Sequence, residues 1–246
     1  MLCVVLLHSS YYCLSDGAGT ALWNNVNILT SFATASVPLF FMISGALILS
    51  SKKTLSPKYV LIHRLPHLIL PLIFWSVVSV GKDFRYTALY SSTGFIIDDF
   101  WDAVYKIPSE PVSVHFWFMY SLIPLYILSP LIKLVADNAD KKIIRYMLGF
   151  WILSAILYEI RFYVPSDTAQ LLTISFIEDA NIAGGYLGYF LLGYYLSSRN
   201  INIRASVLLV VLVVTIAVIA YGTCYYTVYY DNYADHFKSY CDIFVM

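Results

Sequence analysis

Ala205-Ser-Val-Leu-Leu-Val-Val-Leu-Val-Val-Thr-Ile-Ala-Val-Ile-Ala-Tyr-Gly-Thr-Cys224 contains no Asp, Glu, Lys, Arg or His. A helix needs about 20 predominantly apolar residues to cross the ~30 Å hydrocarbon core of a bilayer, so this stretch predicts a membrane-spanning helix. Windows of about 19 residues place further spans near 27–50, 59–81, 115–136, 143–162 and 180–198, and an apolar segment over 1–14 that is too short to span alone. The whole chain agrees. It is 60% hydrophobic and 12% charged, with a mean hydropathy of +0.72, about half the charge fraction of an ordinary soluble domain. The expected fold is all-α, a polytopic transmembrane helix bundle of about seven spans forming one domain over residues 1–246. Net charge is zero and no long basic run occurs, which excludes the electrostatic footprint of a nucleic-acid binder.

The segments between spans alternate in charge. Those at 51–58, 137–142 and 199–204 are short and basic, and those at 15–26, 82–114, 163–179 and 225–242 are longer and acidic. With adjoining span ends, the basic set collects Lys52, Lys53, Lys58, Arg64, Lys133, Lys141, Lys142, Arg145, Arg199 and Arg204. Basic residues set topology by staying on the cytoplasmic side, which predicts a first helix running outward and a cytoplasmic N-terminus ahead of Met1. Met1 to Leu14 has no basic region before it and no small-residue cleavage site after it, so it reads as a helix whose beginning is missing rather than a signal peptide. Residues 95–106 set Ile96, Ile97, Phe100 and Val104 against Asp98, Asp99 and Asp102, the pattern of a helix lying in the outer interface. The many tyrosines cluster at span ends, as an interfacial aromatic belt does, and need no functional explanation as a class.

Several residues invite chemistry. His8 sits in an apolar segment, where an ionisable side chain is costly and marks a functional site by default. Tyr11, Tyr12 and Ser15 follow at helical spacing and would orient its imidazole. Proton transfer near neutral pH is the role that fits histidine best, with an interhelical hydrogen bond as the simpler account. In Ser36-Val-Pro-Leu-Phe-Phe-Met-Ile-Ser-Gly-Ala46, Pro38 leaves the carbonyl of Thr34 without its donor. Ser44 and Gly45 permit close backbone approach, so this helix should be kinked and tightly packed. In Ile62-His-Arg-Leu-Pro-His-Leu-Ile-Leu-Pro71, Pro66 and Pro71 free the carbonyls of Ile62 and His67, while Arg64 and His67 share a face. With Lys52, Lys53 and Lys58 they form the best site for a polyanionic donor, unless these charges serve topology alone. His63 and His67 have metal-ligand spacing but no evident third ligand, so no metal is expected. His115 and Trp117 begin an aromatic cluster suited to a sugar, and Glu178 and Asp179 could accept sugar hydroxyls or simply be solvated. The cysteines read as lipid-buried thiols; Cys3 and Cys13 stand about 15 Å apart along a helix, too far to bridge, while Cys224 and Cys241 could pair.

Three stretches together resemble membrane acyltransferase family 3, and particularly its surface-polysaccharide O-acetyltransferase branch, which includes the enterobacterial common antigen O-acetyltransferase. Val4-Val-Leu-Leu-His-Ser9 is similar to the end of the family's first-helix motif, and Val37-Pro-Leu-Phe-Phe-Met-Ile-Ser-Gly45 to its second-helix motif. His115-Phe-Trp-Phe118 with Leu125-Tyr-Ile-Leu-Ser-Pro-Leu-Ile132 is similar to its fourth-helix motif. The resemblance implies acyl transfer, acetyl first of all, from cytoplasmic acetyl-CoA or another acyl-CoA as co-substrate, with no bound cofactor. The acceptor would be a hydroxyl of a surface glycan or lipid-linked sugar, and the location the bacterial cytoplasmic membrane. It implies that His8 is the essential first-helix histidine and Arg64 the first arginine of the basic motif, with His67 in place of the second. It also implies about ten spans in all, with a partner arginine upstream of Met1 and further helices beyond Met246, so that the chain is expected to be truncated at both ends.

On this reading acyl-CoA docks near Arg64, His67, Lys52 and Lys53, and the acceptor enters from outside past Ser44, His115, Trp117 and Glu178. His8 either takes the proton of the attacking hydroxyl or carries the acyl group itself. A transporter or flippase for a glycan or lipid precursor is the alternative from another class; such folds carry paired repeats, and the sequence shows kinks but no repeat. An inactive acyltransferase fragment is the third reading.

Overall fold

The computed structural model describes residues 2–14, 18–90, 97–160, 164, 175–199, 204–230 and 238. The side chains of residues 11, 12, 87–90, 97, 98, 114, 158, 159, 175–184 and 230 lie outside that description. The long elements are helices α1 (Leu2–Ser10), α2 (Ala21–Thr34), α3 (Ser36–Ser50), α4 (Pro66–Tyr90), α5 (Ile97–Lys106), α6 (Trp117–Asn138), α7 (Lys141–Ile160), α8 (Ser175–Ser197) and α9 (Ala205–Tyr230). No strand occurs among the described residues, so the fold is the all-α membrane bundle that hydropathy predicts. Among the described residues, four stretches are long and apolar enough to cross a membrane: Ala21–Ser50, Pro57–Tyr86, Trp117–Asn138 and Ala205–Tyr229. Helices α1, α7 and α8 occupy the other three expected positions. The chain packs as two compact units, residues 1–50 with 139–246, and residues 51–138.

In the first unit, Thr20 caps α2 by accepting the Trp23 amide on its hydroxyl at 3.3 Å. The Trp23 indole, 1% exposed, donates to the Leu14 carbonyl at 3.1 Å and holds the 3-10 turn Tyr11–Leu14 against α2. Helix therefore begins six residues before the apolar window that announced it, because a cap and a buried tryptophan set the start. The predicted kink is present as a break at Ala35 between α2 and α3, where Pro38 withholds the amide that Thr34 would accept. Beyond the break, α3 lies against α8. A Cβ on Gly45 would stand 1.9 Å from the Phe190 carbonyl oxygen, and one on Gly193 would stand 1.9 Å from that of Met42. The two backbones touch because neither glycine has a side chain, which is how helices associate where lipid supplies no hydrophobic drive. Phe41 stacks on Tyr186 at 4.6 Å and Trp151 meets Tyr189 edge-on at 4.9 Å, which holds α7 to the other face of α8. Along α2, buried Thr30, Ser31 and Thr34 return their hydroxyls to carbonyls of their own helix. Asn27 donates across to the Ala220 carbonyl of α9 at 2.7 Å, so these four side chains of α2 are bonded inside the bundle.

The second unit begins with a 3-10 turn (Lys52–Leu55), a helical turn (Pro57–Tyr59) and a π-helical turn (Val60–Arg64) before α4. Helix α4 runs nine residues past the predicted span end at Gly81. Lys82, Asp83 and Arg85 end the apolar window without ending the helix, since none of them is a breaker. Helix α5 is strongly amphipathic, as residues 95–106 predict, and Phe100 meets Phe84 of α4 edge-on at 5.6 Å. Helix α6 carries Pro124 and Pro130 internally. Pro130 cannot donate to the Tyr126 carbonyl, and the Ser129 hydroxyl does so instead at 2.7 Å.

Candidate functional site

Segment 51–67 contains Lys52, Lys53, Lys58, His63, Arg64 and His67 and no Asp or Glu. Its geometry follows from two prolines. Pro57 opens a turn capped by the Ser56 hydroxyl, which accepts the Tyr59 amide at 3.4 Å. Pro66 has no amide for the Ile62 carbonyl, and the chain ahead of it widens into the π turn, closed by the Leu65 amide on the Val60 carbonyl at 2.9 Å. Single π turns recur at functional sites because the added residue redirects the side chains around it.

Here the redirected side chains line a cavity of about 310 Å³ formed by Tyr59, His63, Arg64, His67, Leu68 and Tyr126. The His63 ring lies 4.9 Å from the Tyr59 ring, tilted by 44°. Lys53 Nζ and Arg64 Cζ stand 5.5 and 5.9 Å from the Tyr59 centroid, at the outer limit of cation–π contact. The lining thus combines cationic and aromatic groups and no carboxylate, which suits an anionic ligand with a flat or apolar part. Its volume falls at the lower end of the ~300–1,000 Å³ of small-ligand sites, so it has room for a small ligand or one end of a larger one.

The structure gathers some of the predicted residues and separates others. Arg64 and His67 line the cavity, Lys53 flanks it through Tyr59, and Lys52 is exposed in the preceding turn. His115 is exposed in a 3-10 turn (Val114–Phe116) and Trp117, half-buried, starts α6. Nine residues separate Trp117 from Tyr126 along α6, roughly 13 Å at 1.5 Å per residue, so the aromatic cluster stands apart from the cavity. The Tyr120 hydroxyl fixes the loop ahead of that cluster by donating to the carbonyls of Ile107 and Glu110. His8, Ser44 and Glu178 belong to the first unit. His8 is half-buried on α1; the helix tightens to 3-10 at Tyr11, while Ser15 and the side chains of Tyr11 and Tyr12 lie outside the described residues. Ser44 is buried beside Gly45 at the crossing with α8. The side chains of Glu178 and Asp179, and Cys241, lie outside the described residues; Cys3, Cys13 and Cys224 are free thiols. Among the described residues no three His, Cys, Asp or Glu side chains converge as metal ligands.

Sequence reasoning missed Tyr59 and Tyr126, which it left among belt tyrosines, and weighed His63 only as a metal ligand. A signal was available for Tyr59, which precedes His63 by four residues and Arg64 by five within a segment bounded by two prolines. Lys133 was counted for topology, yet it is 3% exposed in α6 and pairs with Asp137 at 2.9 Å. The i, i+4 spacing of that pair was legible; its burial was not.

Neither a curated protein nor a solved structure matches the chain. A family model does: described as an acyltransferase domain, it matches residues 1–246, and the chain belongs to the acyltransferase 3 family of membrane acyltransferases.

Proposed function

We propose that this acyltransferase is an O-acetyltransferase of the surface-polysaccharide branch, taking acetyl from acetyl-CoA on the cytoplasmic side of a bacterial inner membrane and placing it on a glycan hydroxyl. The observation that carries the reading is the carboxylate-free pocket of Tyr59, His63, Arg64, His67, Leu68 and Tyr126, whose charge suits the phosphates of a nucleotide thioester. Arg64 offers a planar fork to phosphate, and His67 and Lys53 add donors. His8 does the chemistry. Its imidazole takes the proton of the acceptor hydroxyl as that oxygen attacks the thioester carbonyl; the new C–O bond forms, the C–S bond breaks, and the thiolate leaves with the proton that His8 returns. His115 and Trp117 offer a ring nitrogen and a flat face to the sugar, with Ser44 and Glu178 as hydrogen-bonding partners on the acceptor path. Acetyl-CoA and the acceptor are substrates, and no resident cofactor is needed for this balance.

The test is transfer of labelled acetyl from acetyl-CoA into surface polysaccharide by membranes carrying the chain or its His8→Ala variant, with equal insertion checked by protease protection. Loss of transfer in the variant is expected. Undiminished transfer by His8→Ala would remove His8 from the reaction, and no transfer by the inserted parent would overturn the activity.

A further inference from the structure

The Tyr59 ring sits among positive charge. Lys53 and Arg64 approach its centroid to 5.5 and 5.9 Å, His63 packs against it at 4.9 Å, and the ring lines the cavity while only partly buried. This grouping is built by the backbone. In an α-helix at 3.6 residues per turn, residue i+5 stands about 140° around the axis from residue i. The π turn at Val60–Arg64 adds one residue to the turn and brings Arg64 back to the side of Tyr59. A site for phosphate alone needs the cations and has no use for the ring. A ring with cations over it, in a cavity also lined by Leu68 and Tyr126, matches a planar base that carries phosphate groups, because aromatic rings stack on bases while the neighbouring charges reach the phosphates.

We infer, resting on the donor reading above, that Tyr59 sets specificity for the nucleotide end of the donor, its ring stacking on the adenine base while Lys53 and Arg64 hold the neighbouring phosphates. The pocket thereby distinguishes a thioester of coenzyme A from one whose pantetheine arm carries no nucleotide. No bond is made or broken at Tyr59; it is a specificity residue.

Transfer by the full chain in membranes is measured with acetyl-CoA and with acetyl-pantetheine, for the parent, Tyr59→Phe and Tyr59→Leu. Tyr59→Leu is expected to raise KM for acetyl-CoA about tenfold or more, with kcat unchanged. Tyr59→Phe keeps the stacking face and stays near the parent, and KM for acetyl-pantetheine is the same in all three. An equal rise for both donors would make Tyr59 a merely structural residue and overturn the inference, as would an unchanged KM for acetyl-CoA. Binding of adenosine 3′,5′-bisphosphate by the detergent-purified chain reads the same contact without turnover. There Kd should weaken tenfold or more in Tyr59→Leu and be kept in Tyr59→Phe. If Tyr59→Leu does not fold, Lys53→Gln replaces it, expected to weaken the bisphosphate severalfold and leave adenosine unaffected; unchanged bisphosphate binding in that variant overturns the inference. A parent that binds the bisphosphate but transfers nothing breaks the proposed activity and leaves this inference standing, whereas a parent that transfers acetyl without binding it does the reverse.

Discussion

The crossing of α3 with α8 and the pocket beside Arg64 both depend on residues that depart from ordinary helix chemistry, and they use them to opposite ends. At Gly45 and Gly193 the missing side chains let two backbones close to contact, leaving no space for even one added carbon. At Pro57 and Pro66 the missing amides force the backbone through a cap and a π turn, and a cavity of about 310 Å³ opens beside it. The polar groups differ likewise. Asn27, Thr30, Ser31 and Thr34 are buried and donate to backbone carbonyls. Around the cavity, Lys53, His63 and His67 are exposed. One region is built to be full and the other to be filled, so substitutions should harm folding in the first and ligand affinity in the second.

The sharpest way to break this contrast is at the crossing. Gly45→Leu puts a side chain where a Cβ already meets the Phe190 carbonyl, and neither backbone can yield cheaply; a loss of roughly 3 kcal/mol or more is expected, read as a collapse of folded yield and melting temperature in detergent. Next comes the buried ion pair of the second unit. Asp137→Ala removes the carboxylate from a lysine that is 3% exposed and should cost on the order of 3 kcal/mol. Lys133→Met leaves Asp137 partly solvated and should cost about 1 kcal/mol. Equal melting temperatures for the two variants would mean that Lys133 is not held by that carboxylate. At the pocket, Arg64→Ala should leave the melting temperature nearly unchanged and raise KM for acetyl-CoA about ten- to a hundredfold, as expected for hydrogen bonds to a charged group; Arg64→Lys recovers part of it, lacking the fork.

A pH-dependent effect tests the seam at α2. Lys238 Nζ donates to Asn27 Oδ1 at 2.6 Å and to Thr30 Oγ1 at 2.7 Å, and burial pushes its ammonium down from 10.5 to about 7. Between those values the unfolded chain holds a proton that the folded chain has released, so stability rises with pH. The contribution is complete above 10.5, falls as pH falls, and is gone below about 7. The slope is at most about 1.4 kcal/mol per pH unit. Melting temperatures from pH 7 to 9 should rise more for the parent than for Lys238→Met; parallel curves would sink this account.

Much of the candidate site was legible residue by residue and little of it as an arrangement. Arg64 and His67 stood out because they follow Lys52, Lys53 and Lys58 closely and three-residue spacing puts them on one face. Tyr59 did not, because a tyrosine at a span end is ordinary and its distinction comes only from the π turn that swings Arg64 over it. Ser44 and Gly45 suggested close packing, but which helix they would meet was not in their own sequence.

By itself the sequence determined the membrane-embedded all-α class, the approximate positions of the helices, the amphipathic helix α5 and the prolines within α3, α4 and α6. These follow from local rules: apolar length, backbone satisfaction within each helix, and missing amides. Only the tertiary structure decided that α3 meets α8 through two glycines, that Lys133 is buried with Asp137, and that Tyr126 faces the same cavity as Arg64. Such outcomes depend on which faces of distant segments come together, and in a chain where most faces are apolar, periodicity does not single out a partner.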